Sequence, residues 1–184
     1  MSKRPKKRKW NRLPEYDYSE TGYYFITSCV ADMKSCLGKV LGNNCRLNVY
    51  GKIVKEEWSN LKSKYDFVDL DEFIVMPNHF HGIIIIDKTI LIETAYELSP
   101  QCDYSNKNGN DSTKTKSLSQ LVGEFKMRSS RLIHQAGLMS FKWQRSFYDR
   151  IIRNEKELYF IQKYIQNNPL KWELDKGTPE NLDL

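Results

Sequence analysis

The run Ile83-Ile84-Ile85-Ile86, entered through His79-Phe80-His81-Gly82, constrains the fold more than any other segment. A β-strand sends alternate side chains to opposite faces, so four consecutive isoleucines need apolar cover on both sides of a sheet. Residues 79–87 are therefore expected to form a central strand. Residues 67–76 read as the strand before it, and the turn pair Pro77-Asn78 closes the two into an antiparallel hairpin. The run is still far too short for a membrane. No apolar stretch exceeds four residues, against roughly 20 for a spanning helix.

The remaining segments supply partners for this hairpin. Residues 22–30 are dense in aromatic and β-branched side chains and read as a strand, with a short strand expected around 38–41. From Leu47 the period changes: Tyr50, Ile53, Val54, Trp58 and Leu61 recur at helical spacing, over about four turns. Residues 99–117 contain no aliphatic side chain and read as a long mobile loop. A second amphipathic helix carries Leu118, Leu121, Val122, Phe125, Leu132 and Ile133 until Gly137 stops it. Residues 143–152 read as a fourth strand. The last helix is expected to start at the N-cap Asn154 and to stop at Pro169. The order β, α, β, β, α, β, α predicts an α+β fold, a ferredoxin-like split β-α-β with a central antiparallel sheet. Residues 15–184 are expected to be one domain.

Charge separates residues 1–14 from that domain. Lys plus Arg total 29 and Asp plus Glu 23. Residues 1–14 hold seven of the cations and no acid, which leaves 22 basic against 23 acidic residues in the rest. The flexible tail expected there, with Lys6, Lys7, Arg8, Lys9 and Trp10, suits phosphates and a stacked base. The alternative is a solvated tail that only aids solubility. The N-terminus lacks the apolar core of a secretory signal, and Cys29, Cys36, Cys45 and Cys102 form no C-x-x-C pair. A cytoplasmic protein with reduced thiols is expected.

Two of the three histidines, His79 and His81, are two residues apart on a predicted strand and so share a face. Such a pair can chelate a divalent ion, or can simply end a strand. Tyr164 and Asn168 are four apart on the last helix, beside the apolar stripe Leu158, Ile161 and Ile165. On spacing alone, they read first as a packing residue and a helix-ending one before Pro169, and only second as polar groups facing a cleft. A histidine hydrolase of the H-x-H-x-H type is excluded, because Ile83 stands where its third histidine is needed.

Met76-Pro77-Asn78-His79-Phe80-His81 resembles the HUH motif of single-tyrosine transposases, and most of all the REP-associated tyrosine transposases. The Leu-Val-Gly-Glu-Phe-Lys core within 117–131, the segment 143–149 and Lys163-Tyr164-Ile165-Gln166-Asn167-Asn168-Pro169 agree with that family in order. The resemblance spans roughly 22–172. It implies a metal-dependent single-stranded DNA endonuclease and strand transferase that forms a 5′-phosphotyrosine intermediate. In that frame His79, His81 and Asn168 hold Mg²⁺ or Mn²⁺, and Tyr164 is the nucleophile. Related insertion-sequence transposases often have Gln at the position of Asn168.

The implied partner is single-stranded or hairpin DNA, bound by a monomer or homodimer. Lys126, Arg128, Arg131 and the tail would hold phosphates, while Trp10 or Trp143 would stack bases. A domesticated, non-catalytic hairpin-binding protein is the alternative. Tyr148 competes as nucleophile but has Ile152, an apolar residue, four positions on.

Overall fold

The structure, a computed structural model, describes residues 16–89 and 115–174. The expectations for the tail at 1–14 and for most of the loop at 99–117 lie outside these residues. In chain order the elements are β1 (Gly22–Cys29), a 3-10 turn (Ala31–Met33), β2 (Gly38–Leu41), β3 (Asn44–Leu47) and α1 (Val49–Lys64). They continue with β4 (Val68–Val75), β5 (His79–Ile86), α2 (Leu118–Gln135), β6 (Tyr148–Ile152) and α3 (Glu155–Leu174). Four strands form one antiparallel sheet in the order β4-β5-β1-β6, and β2 pairs with β3 in a separate hairpin. The fold is α+β with a central antiparallel sheet, as the hydrophobic periods predict.

The isoleucine run explains the layering. Phe80, Ile84 and Ile86 are buried on one face among Trp58 of α1, Leu121 and Phe125 of α2, and Tyr24 and Ile26 of β1. Ile83 is buried on the other face with Phe25, Ile152 and, from α3, Ile161, Tyr164 and Ile165. Two helices thus cover one side and a single helix the other. The single-helix side has the smaller apolar cluster, and polar groups of β5 meet α3 there.

Gly51 sits where α1 passes the chain entering β2. A Cβ on Gly51 would collide with the Leu37 carbonyl oxygen, which accepts the Asn48 N–H at 3.1 Å. Asn48 caps α1 from the same place, accepting from the N–H groups of Tyr50 and Gly51 at 3.0 Å each. Gly51→Ala is therefore expected to destabilise the protein by about 1–3 kcal/mol, although alanine is the better helix former by about 1 kcal/mol. Urea unfolding measures this. A stabilised variant would mean that the segment at Leu37 retreats freely.

Four elements differ from the sequence expectations. Helix α1 starts at Val49 rather than Leu47, because Asn48 caps it. Residues 44–47 form β3, a short and mostly exposed strand whose polarity hides its period. The fourth strand of the sheet is only Tyr148–Ile152. Trp143 instead makes an isolated bridge to Val30, and its ring packs on Phe125 and Phe141. Its Nε1 donates to Ser129 Oγ at 3.0 Å, so this buried indole has no face left for a base. Finally, α3 does not stop at Pro169 but runs on to Leu174. A proline removes one helical hydrogen bond and crowds the preceding turn. Here its ring is buried, and the extra turn brings Trp172 onto the sheet-side site.

Candidate active site

The two-residue period of β5 sends His79 and His81 under α3 and Phe80 into the opposite layer. The imidazole centroids are 4.6 Å apart, with planes at 70°. Both rings are buried, His79 at 1% and His81 at 0% exposure. From above, the Tyr164 hydroxyl approaches His81 Nε2 to 3.5 Å, and one helical turn later Asn168 is buried beside His79. The structure brings together the four side chains that spacing groups only as two separate pairs and that the resemblance places in one site.

Helix α3 is held in that pose at both edges of the sheet. Its N-terminus is capped by Asn154, whose Oδ1 accepts the Glu157 N–H at 2.9 Å. Arg150 of β6 pairs with Glu157 at 2.6 Å. At the far edge, Gln162 donates to Asp71 at 2.9 Å and Gln166 to Glu72 at 2.9 Å. Asp71 and Glu72 are consecutive and would face opposite ways on a regular strand. The register shift between Leu70 and Phe73 lets both reach the helix.

Four further side chains complete the surroundings, and sequence reasoning assigned none of them. Thr27 of β1 pairs in register with His81, and its Oγ1 lies 2.8 Å from His81 Nδ1. Asn78 Oδ1 lies 2.6 Å from His79 Nδ1. Trp172 flanks His79 with centroids 5.8 Å apart. Lys171 Nζ is 5.5 Å from the Tyr164 ring centroid, a positive charge beside the phenol. Trp172 continues the spacing of Tyr164 and Asn168 by one more turn, a signal concealed by the expected stop at Pro169.

Burial lowers the His79 pKa to about 4, partly opposed by the Asn168 side chain. Burial also holds His81 well below the usual range, with the neighbouring His79 acting the same way. Both rings are therefore neutral at pH 7 and keep a lone pair. His79 Nε2 is buried with no hydrogen-bond partner, an orphaned polar atom of the kind a metal ion satisfies. Among the described residues no group of three or more His, Cys, Asp or Glu could hold a metal. A cation here would meet the two imidazole nitrogens, and the Asn168 amide is the candidate third donor. Imidazole nitrogens suit transition-metal ions, and Mn²⁺ or Mg²⁺ would fit with water and substrate oxygens completing the shell.

The other expected residues are more dispersed. Lys6, Lys7, Arg8, Lys9 and Trp10 lie outside the described residues. Lys126 is committed internally, donating to the carbonyls of Gln144 at 2.6 Å and Arg145 at 3.3 Å, and burial lowers its pKa. Arg128 pairs with the buried Glu57 at 2.6 Å. Arg131 is exposed on α2. Tyr148 lies on β6 opposite Thr27 and meets Phe25 edge-on with centroids 6.4 Å apart. No helix of the described residues is long and apolar enough to cross a membrane.

No family model matches the sequence. A Haemophilus influenzae protein described as uncharacterized is 34% identical over 165 residues, covering 90% of this chain and 89% of its own. Among solved structures, a REP-associated tyrosine transposase bound to a REP hairpin superposes with a TM-score of 0.55. It is 21% identical, over 87% of this chain and 73% of its own. This chain shares that protein's fold.

Proposed function

The chain belongs to one family with the Haemophilus influenzae protein, and from that premise we propose that it is a metal-dependent endonuclease and strand transferase acting on single-stranded, hairpin-bearing DNA. The observation that carries this reading is the approach of the Tyr164 hydroxyl to 3.5 Å from His81 Nε2, beside a second buried imidazole with an unpartnered nitrogen. The fold shared with a transposase bound to a REP hairpin supports it. So does the element order β1-α1-β4-β5-α2-β6 with sheet order β4-β5-β1-β6, which we read as the ferredoxin-like split β-α-β. Residues 15–184 make up the catalytic domain, preceded by the basic tail.

In this reading His79, His81 and Asn168 hold Mg²⁺ or Mn²⁺, which when bound offsets phosphate charge as a Lewis acid. The protein's own groups do the rest. Tyr164 Oη attacks phosphorus as its proton passes to water, the bond from phosphorus to the 3′-oxygen breaks, and the 3′-oxygen takes a proton from water and leaves as a hydroxyl. The 5′-phosphate stays on the tyrosine. A phenol has an ordinary pKa near 10, so attack requires the proton to leave, and Lys171 puts a positive charge beside the group that must turn negative. Phe25 supports both reacting partners, stacking on His81 at 5.4 Å and meeting Tyr164 edge-on at 6.1 Å. The phosphotyrosine bond retains the energy of the phosphodiester, so a second DNA end can be joined without ATP.

The test is incubation with labelled single-stranded fragments and Mg²⁺ or Mn²⁺, followed by denaturation and sequencing of whatever stays attached. An adduct that excess chelator prevents is the expected result. Hairpin DNA bound without any adduct would instead identify a non-catalytic binding protein.

A further inference from the structure

The turn Pro77-Asn78 is gripped by the segment that follows β1. Cys36 and Leu37 donate their N–H groups to the Pro77 carbonyl at 2.9 and 3.0 Å, and Val30 donates to the Asn78 carbonyl at 2.8 Å. Between those anchors Asp32 and Met33 adopt left-handed backbone, φ 55° and 53°, which L side chains take up reluctantly. That conformation accompanies a Met33 carbonyl turned toward Asn78. Asn78 Nδ2 donates to it at 3.2 Å.

This contact fixes which way the amide faces. With Nδ2 on the Met33 carbonyl, Oδ1 is the atom 2.6 Å from His79 Nδ1. The flipped amide would set Oδ1 against a carbonyl oxygen, two acceptors with no proton between them. An amide oxygen has no hydrogen to give, so His79 Nδ1 must carry one. A neutral imidazole has a single N–H, and His79 Nε2 is left with the lone pair. That nitrogen is the buried, unpartnered atom on the Tyr164 side of the sheet.

We propose that Asn78 is a positioning residue: oriented by the Met33 carbonyl, it locks His79 in the Nδ1–H tautomer and keeps the Nε2 lone pair available to a divalent cation. The inference rests on the metal-dependent reading above and adds to it a device built from the turn that precedes the histidine pair. Thr27 does not carry the same argument for His81, because a hydroxyl can either give or accept at Nδ1.

Imidazole nitrogen signals of ¹⁵N-labelled, metal-free protein at neutral pH test it directly. Wild-type His79 is expected as the Nδ1–H form, and Asn78→Ala as a mixture of tautomers. A wild-type His79 in the Nε2–H form overturns the proposal. Mn²⁺ binding followed by electron paramagnetic resonance, in a Tyr164→Phe background that needs no turnover, is the second arm. Asn78→Ala should weaken Mn²⁺ about 10–100-fold. Asn78→Asp should recover part of it, since one carboxylate oxygen still accepts from Nδ1 while the other, facing the Met33 carbonyl, has lost the donor that oriented the side chain. Equal losses in both variants, or no loss in Asn78→Ala, overturn the proposal. Should Asn78→Ala fail to fold, the wild-type spectrum alone decides. A wild type that binds no Mn²⁺ defeats the metal-dependent reading, while the tautomer still decides the role of Asn78.

Discussion

Tyr164→Phe should abolish covalent capture of single-stranded DNA, by about 10³-fold or more, and leave DNA affinity within about threefold of wild type. The change removes one oxygen from a ring that is 8% exposed and keeps its packing on His81 and Phe25. Stability should therefore change by less than about 1 kcal/mol. No other group at that position can form a phosphate ester, so loss of the adduct with retained binding isolates the nucleophile. Tyr148→Phe is the control. Tyr148 sits on the same sheet face but belongs to β6, opposite Thr27 rather than above the histidines. A denaturant-resistant adduct that persists in Tyr164→Phe and vanishes in Tyr148→Phe would transfer the role to Tyr148.

What the sequence disclosed, and what it hid, follows from the range of the interactions involved. Two residues on a strand share a face whatever the tertiary structure, so His79 and His81 could be paired from spacing alone. Four residues on a helix do the same for Tyr164 and Asn168. The doubly covered β5 was readable because an isoleucine run has no polar face. The cations of α2 were not readable in this way. Nothing local shows that Lys126 would be drawn onto the carbonyls that follow Trp143, or that Arg128 would meet Glu57 from α1, 71 residues away in sequence. The strand β3 and the last turn of α3 escaped for opposite reasons. One is too short and polar to show a period, and the other continues past a residue that usually ends helices. Asn78 is the most instructive case. In sequence it is half of a turn signal, and its side chain gains a second task only because Met33 faces it across the fold.

His79→Ala should eliminate covalent capture as completely as a chelator does, and should also change how the metal-free protein responds to acid. Burial holds the folded-state pKa of His79 at about 4, against roughly 6.5 in an unfolded chain. Between those values the unfolded state binds a proton that the native state refuses. The derivative of unfolding free energy with pH is then positive, so stability falls as pH drops from 6.5 toward 4. At about 1.4 kcal/mol per pH unit, this imidazole alone contributes a loss of about 3 kcal/mol across that window. His81 is shifted the same way and adds to the slope. Glu124, held at about 2 chiefly by Lys116 and Lys64 against the opposing effect of burial, loses its contribution as pH falls from about 4.5 toward 2. The interval from pH 6.5 to 4.5 thus reports on the imidazoles with little interference. In urea unfolding with chelator present, His79→Ala is expected to flatten the slope in that interval. It should also cost about 1–3 kcal/mol at pH 7 for the space the ring leaves. An unchanged slope would mean that the fold does not keep this ring neutral, and capture at the wild-type level would remove His79 from the reaction.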